Sequence, residues 1–286
     1  MKNKDAAISR ALFRRHVGHS IAIIFCFIVA LTAFYPFFTM LISSTYDNYN
    51  IVTKLNLLPG DQFIRNYNRL TQNIAIWRGF LNSLMLGVVC TAVTLYFSAL
   101  TAYAFSKFQF KGKNFLFGIV MVAMMLPGQI GVIGFFKEIS NFKLLDTYWP
   151  LILPGIANCF CVFFFKQYLD GGLPNELIEA AFADGCPELS IFHKIVLPVM
   201  VPALVTQGVM SFIGSWNSYM MPLILLRSAN RMTLPLMIAT VRDSMNADYG
   251  AQYVGMLISV VPMVILFSLS SRVIMEKISI GAAVKG

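Results

Sequence analysis

The sequence predicts an all-α polytopic membrane protein with six transmembrane helices. Of the 286 residues, 57% are apolar and only 12% are charged, whereas about 25% of residues are charged in an ordinary soluble domain. Six runs without Asp, Glu, Lys or Arg approach or exceed the roughly 20 residues that cross a bilayer. These observations exclude a soluble enzyme, a secreted disulfide scaffold, a disordered tail and a coiled coil. The predicted spans are residues 20–42, 79–106, 114–136, 148–165, 199–226 and 250–271.

The basic residues predict that both termini are cytoplasmic. With the N-terminus inside, the inner segments hold thirteen Lys and Arg and the outer segments nine. The excess includes Arg14 and Arg15 before the first span and Lys107, Lys111 and Lys113 after the second, and basic residues this close to a span set its orientation. We expect an uncleaved first span and a partly ordered outer cap over residues 43–78. The predicted divisions are a cytoplasmic segment 1–19, a permease domain 20–276 and a cytoplasmic tail 277–286.

The net charge of +9 does not predict a nucleic-acid partner. The 22 Lys and Arg residues are scattered between apolar blocks, whereas a nucleic-acid footprint is a clustered basic face. Four of the five cysteines lie in apolar runs, where free Cys behaves as a small apolar side chain. Cys159 and Cys161 are two residues apart, so on a helix they point to different sides. The sequence therefore predicts no metal site and no disulfide.

The spans contain no Asp, Glu, Lys, Arg or His, although such residues form the proton relays and voltage sensors of membrane proteins. Their absence argues against proton-coupled transporters, pumps with buried carboxylates and voltage-gated channels, but leaves sodium coupling through backbone carbonyls open. The pair Gly112-Lys113 is followed by Asn114, so it does not complete a phosphate-binding Walker A loop. Any energy for uphill transport must therefore come from another polypeptide.

Two spans are interrupted midway. Pro127-Gly128 lies inside the third, and the polar stretch 214–219 lies inside the fifth. Backbone groups freed at membrane depth are tolerated where they are buried in protein or line a water-filled cavity. The breaks therefore indicate either a translocation path along these two spans or packing kinks against neighbouring helices.

The predicted cytoplasmic loop 166–198 reads as two short helices joined by a bend. A turn is expected at 170–172, Pro174 suits a first helical position, and Gly185 suits a left-handed helix end. A second helix is expected from Pro187-Glu188 to Pro198. In the first helix we expect small and apolar residues on one face that a partner approaches closely, with a lipid-surface helix as the alternative. That face is predicted to hold Leu173, Leu177, Ala180 and Ala181, with Glu179 beside it.

This loop resembles the EAA loop of binding-protein-dependent ABC importer permeases. The residues that carry the likeness are Glu179-Ala180-Ala181, then Gly185, then nine residues and Ile-Val-Leu-Pro at 195–198. Further similarity lies at 82–83, 102–108, 150–154, 212–217 and 281–286. Together these stretches are most similar to the smaller, six-span permease subunit of the maltose-type carbohydrate-uptake branch.

The resemblance implies a type I ABC importer permease fold in the bacterial inner membrane. It implies a channel-forming subunit rather than an enzyme, for a sugar or oligosaccharide delivered by an extracytoplasmic binding protein. The implied partners are a second permease subunit in a heterodimer and two ATPase subunits, which carry ATP and Mg, so that this chain binds no cofactor. A permease for a polyamine, phosphate or peptide is the alternative. The implied ATPase-coupling residues are Glu179, Ala180, Ala181, Asp184 and Gly185.

If the solute is a carbohydrate, the polar and aromatic residues of the broken fifth span are candidates to contact it. Aromatic side chains stack on sugars and amides hydrogen-bond to hydroxyl groups, although Trp and Tyr also anchor helices at the membrane surface. The predicted path or gate consists of Asn158, Gly214, Ser215, Trp216, Asn217 and Tyr219.

Overall fold

The computed structural model describes residues 2–243 and 248–283, with side chains for residues 18–241 and 248–271. Every regular element in that part of the chain is helical, which confirms the all-α prediction. Contacts divide the chain into two compact units, Met1–Gln72 with Val241–Leu257 and Asn73–Thr240 with Ile258–Gly286. The predicted tail 277–286 has no described side chains.

The helices are α1 Lys2–Ser43, α2 Asn48–Thr53, α3 Phe63–Asn73, α4 Ile76–Lys107, α5 Lys113–Met125, α6 Val132–Asn141, α7 Trp149–Ile152, α8 Cys159–Gly172, α9 Asn175–Ala183, α10 Glu188–Ile191, α11 Leu197–Val199, α12 Val201–Trp216, α13 Met220–Leu225, α14 Leu234–Asp243 and α15 Tyr249–Ala283.

Four helical segments among the described residues are long and apolar enough to cross a membrane: Gly18–Ser43, Ile76–Lys107, Trp149–Gly172 and Tyr249–Ser271. They coincide with the predicted first, second, fourth and sixth spans. Two bent helix pairs raise the number to as many as six. Most large apolar side chains between Ile21 and Tyr35 on α1 are more than half exposed, including Phe25 at 66% and Phe27 at 63%, as expected of a surface that faces lipid.

The third predicted span breaks where the sequence predicts, at Pro127. Helix α5 ends at Met125, a 3₁₀ turn covers Gly128–Gly131, and α6 follows. Proline has no amide to donate, and it forces Leu126 before it into an extended conformation. The two arms of the span meet at 90°, so they do not form one straight helix across 114–136.

The fifth predicted span has two interruptions. Residues 217–219 are non-helical between α12 and α13, as the sequence predicts. A second bend of 79° at Met200 separates Glu188–Val199 from α12, within two residues of Pro198, where the sequence predicts that the second loop helix ends. Pro202 in the first turn of α12 explains it, because its ring lacks an amide and prevents α11 from continuing straight.

The smaller unit folds around one buried amide. Asn66 on α3 is fully buried, and its Nδ2 donates to the carbonyl oxygens of Ser44 at 2.7 Å and Tyr46 at 2.9 Å. Its Oδ1 accepts from Arg69, whose Nε also pairs with Asp248 at 3.1 Å. These bonds hold the connection after α1 against α3, so the predicted cap 43–78 is ordered by polar contacts as well as by burial.

The larger unit is built on α4, which packs against both α8 and α12. The approach to α12 is close: a Cβ added to Gly87 would lie 2.7 Å from the Phe212 ring. Most of the core lies at the end of these helices that joins residues 173–200, and it includes side chains of that loop. Its buried members are Ala99, Ala102, Tyr103, Cys161, Phe165, Leu169, Leu173, Ile178, Ala181, Ile191, Phe192, Val196, Met200 and Ala203.

Candidate functional site

Helix α9 presents one face to the core and one to the outside. Ile178 and Ala181, three residues apart, are 5% and 7% exposed and belong to the core of the larger unit. The residues that project the other way are exposed and make no ion pair with any described residue. We call this the outer face of α9; it is formed by Glu176, Glu179, Ala180, Ala183 and Asp184.

This arrangement corrects the face expected from the sequence. Leu173 and Ala181 are buried, whereas Leu177 is 48% exposed and Ala180 is exposed. The prediction that these residues share one helix face is wrong because Leu173 precedes α9 in an extended conformation, outside its helical register. Ala181 therefore packs inside this chain, and of the five predicted coupling residues Glu179, Ala180, Asp184 and Gly185 are exposed.

Gly185 ends α9 in the left-handed conformation that the sequence predicts. Its φ is +74°, its amide donates to the Phe182 carbonyl, and the amide of Cys186 donates to the Ala181 carbonyl, both at 3.0 Å. These two bonds form a Schellman motif, in which glycine avoids the cost of a Cβ. No described atom lies within 4 Å of the position that a Cβ would take, so backbone conformation alone requires glycine in the isolated chain.

Hydrogen bonds tie the start of α9 to the end of α4. The ammonium group of Lys107 donates to the Leu173 carbonyl and to Oδ1 of Asn175, the latter at 2.9 Å. We call these contacts the lysine joint. Together with the core face of α9, the joint fastens the loop to the transmembrane helices.

The expected turn at 170–172 is wrong, because these residues complete α8. The Asp170 carboxylate accepts from Ser106 and from Lys166, both at 2.6 Å, and these bonds stabilise the last helical turn. The chain turns instead at Pro174, which caps α9 with ψ 142° rather than occupying its first position.

A cavity of about 780 Å³ lies beside the broken fifth span. It is half open and is lined mainly by α4, the turn after Pro127, residues 150–158 and α12. Asn158, Gly214 and Ser215 of the predicted path line it. The Asn158 side chain also caps α8, accepting from the Cys161 amide at 2.9 Å, which fixes its orientation at the cavity wall.

The other three predicted path residues do not line this cavity. Trp216 is 1% exposed, stacks on Phe212 and meets Phe80 edge-on, and its Nε1 donates to the Ser259 carbonyl at 3.1 Å. It is a packing residue, since its polar atom already has a protein partner. Asn217 and Tyr219 are exposed outside the cavity lining.

Other lining residues were missed, although the sequence carries a signal for them. Gln207, Ser211 and Ser215 follow one another every four residues, which places them on one stripe of α12. Cys90 and Thr94 do the same on α4. In the sequence both sets are recognisable as polar residues that are spaced four apart within an apolar span. Of the residues lining the cavity, none is charged.

Asp146 is the centre of a hydrogen-bond network between two segments of the larger unit. Its carboxylate accepts from the amides of Arg227 at 2.9 Å and Ser228 at 3.0 Å and from the Ser228 hydroxyl, and Arg231 lies 3.7 Å away. These contacts join the segment before α7 to the end of α13. The Ser228 hydroxyl and amide and the Arg227 amide hold the pKa of Asp146 at about 2, below its ordinary 3.8.

We expect Asp146→Asn to lower the thermal unfolding midpoint of the purified protein, because Asn cannot replace the carboxylate at these donors. Asn does tolerate the positive φ of 57° at this position. Since the folded-state pKa is depressed, the stabilisation is complete above pH 4 and is lost as the pH falls towards 2. The gap between the midpoints of wild type and the Asp146→Asn variant should therefore be constant from pH 5 to 8 and shrink below pH 4. A gap that widens in acid contradicts this assignment.

The described residues contain no group of three or more His, Cys, Asp or Glu that could hold a metal ion. The candidate site consists of two parts in the larger unit, the exposed outer face of α9 and an uncharged cavity beside a broken helix.

Comparison with known proteins agrees with this geometry. AraQ of Halalkalibacterium halodurans, an arabinooligosaccharides transport system permease protein, is 34% identical over 90% of this chain and 93% of its own. The sn-glycerol-3-phosphate transport system permease protein UgpE of Salmonella typhimurium is 30% identical over 81% and 85%, respectively. The lactose transport system permease protein LacG of Rhizobium radiobacter is 29% identical over 86% and 90%.

A solved structure shows the same fold. It is the crystal structure of a bacterial ABC transporter involved in the import of the acidic polysaccharide alginate, with a TM-score of 0.78 at 23% identity. The match covers 90% of this chain and 96% of that one. Residues 94–279 also match the family described as binding-protein-dependent transport system inner membrane component. The resemblance inferred from the EAA loop is thereby confirmed, and the chain belongs to this family of membrane-embedded transport permeases.

Proposed function

We propose that this chain is a permease subunit that imports a neutral sugar or oligosaccharide, driven by ATP hydrolysis in partner subunits. It pairs with a second permease subunit in the inner membrane, with six spans and both termini cytoplasmic. An extracytoplasmic binding protein delivers the solute. Two ATPase subunits hold ATP and Mg.

The coupling role is supported by the two-sided burial of α9. Its outer face leaves Glu179, Ala180 and Asp184 open to an ATPase subunit, while its inner face is part of the permease core. Packed elements move as rigid bodies, and the lysine joint ties this helix to α4. Closure of the ATPase dimer therefore pulls the transmembrane helices through α9.

The solute class is supported by the cavity and by the names of the relatives. Its lining offers hydroxyl and amide groups and no charge, which suits a neutral polyol better than a polyamine or a phosphate. The relatives are named for arabinooligosaccharides, lactose and sn-glycerol-3-phosphate. The last keeps a charged polyol phosphate as a second candidate.

Uptake by the reconstituted transporter tests the proposal. The chain is co-purified with its partner subunits, placed in proteoliposomes with its binding protein, and supplied with labelled arabinotriose, lactose or sn-glycerol-3-phosphate. We expect uptake of a neutral sugar that requires ATP on the side of α9. Unlabelled spermidine and phosphate serve as competitors and should leave this uptake unchanged.

Two outcomes contradict the proposal. Equal uptake with and without ATP would show that ATP hydrolysis in partner subunits does not drive transport. Uptake of sn-glycerol-3-phosphate alone assigns the chain to the charged solute instead.

A further inference from the structure

Gln207 is a buried amide without a protein partner among the described side chains. It lies in the middle of α12 and is 6% exposed. Its side-chain amide forms no hydrogen bond with the residues whose side chains are described, and its polar atoms are not sealed inside the protein but reach the surface of a cavity. A glutamine amide can donate two hydrogen bonds and accept two. Gln207 therefore has unused hydrogen-bonding capacity inside the larger unit.

The open side of Gln207 is the cavity. The residue is part of the cavity wall, one helical turn from Ser211 and two from Ser215 on the same stripe. Thr94 on α4 and Asn158, the N-cap of α8, line the same cavity. The amide is thus one of several hydroxyl and amide groups in a wall whose other lining residues are mostly apolar.

The uncharged polar groups of the cavity wall indicate which class of ligand it would bind. A group that both donates and accepts, with no charge beside it, matches an alcohol, which also does both. The volume of about 780 Å³ lies within the range of small-molecule sites. Apolar lining residues such as Phe135 and Phe160 suit the carbon face of a sugar ring.

We propose that Gln207 hydrogen-bonds to a hydroxyl group of the transported solute, so that this subunit contacts the solute directly. The inference rests on the proposed function, since it assumes that the cavity lies on the transport path. It adds a residue that selects among neutral solutes by one hydroxyl group.

The test compares Gln207→Leu with wild type in the complete reconstituted transporter. The probes are labelled lactose and arabinotriose and their monodeoxy derivatives. In wild type, one deoxy derivative should be taken up about tenfold more slowly than its parent, because the amide loses its partner. In the Gln207→Leu transporter the parent and that derivative should be taken up at equal rates.

Thr206→Val is the matched control. Thr206 is the neighbouring residue on α12, and its hydroxyl donates to the Pro202 carbonyl at 2.8 Å rather than lining the cavity. This variant should keep the wild-type discrimination. The thermal midpoint of the Gln207→Leu transporter should stay the same or rise, because leucine needs no hydrogen bond.

The outcomes separate the possibilities. Unchanged discrimination in the Gln207→Leu transporter overturns the contact, even if its uptake is slower. A lower midpoint with unchanged discrimination assigns Gln207 to a structural water or to the second permease subunit. Uptake of no neutral sugar by wild type overturns the proposed function, and the contact with it.

Discussion

Ala180→Trp is expected to reduce ATP-driven uptake by about a hundredfold or more without unfolding the permease. Ala180 lies on the outer face of α9 and is exposed, so an indole there does not enter the permease core. Against a closely packed partner, the added volume costs a few kcal/mol, and about 3 kcal/mol corresponds to a hundredfold. The measurement is uptake in proteoliposomes, together with the thermal midpoint of the permease pair.

Alkylation of the Cys186 thiol provides a direct measurement of whether the ATPase subunit is bound. It is exposed just beyond the end of α9, so binding of the ATPase subunit should protect it from alkylation in wild type. In the Ala180→Trp transporter this protection should be lost. Gly171→Trp is the control, since Gly171 is exposed with open space around it in the last turn of α8. Normal uptake with a protected Cys186 in the Ala180→Trp transporter contradicts the docking role.

Phe192→Ala is expected to lower the free energy of unfolding by about 3–5 kcal/mol, the usual cost of truncating a buried aromatic. Phe192 is fully buried, stacks on Tyr103 at 5.8 Å and meets Tyr96 edge-on at 5.9 Å. It lies beneath α9, among the same core residues as Ile178 and Ala181. Thermal and denaturant unfolding of the isolated permease pair in detergent measures the effect.

Phe182→Ala is the matched control, because Phe182 is in the same loop but 41% exposed. It should change the free energy of unfolding by less than about 1 kcal/mol, as exposed substitutions usually do. Equal destabilisation by the two variants would show that the loop does not share the core of the helices. In that case α9 could not transmit force to α4 as proposed.

The loop shows why some of its structure could be predicted and some could not. Its helix end depends on a local conformation, since Gly185 favours positive φ wherever it lies, so the sequence predicts it. The direction of Ala181 depends on where the helix starts. That start is set by Pro174 together with the bonds of Asp170 to Ser106 and Lys166, and Ser106 lies far away in the sequence.

The broken fifth span also has some features that follow from the local sequence and others that depend on tertiary packing. The non-helical residues 217–219 follow from their polar, helix-weakening composition. Trp216 has a suitable side chain for a sugar path, but its neighbours Phe80 and Phe212 enclose it. Gln207, which the sequence analysis passed over, lines the cavity instead.

The sequence by itself determined that the chain lies in a membrane, where the third and fifth spans are interrupted, and which family it belongs to. These properties depend on composition, on proline and glycine, and on a contiguous motif, all of which act within a few residues. The tertiary structure alone decided which side of α9 is free, that Lys107 ties it to α4, and which polar groups surround the cavity. Those depend on contacts between residues distant in the chain, and burial and hydrogen-bond partners are set only when the helices pack.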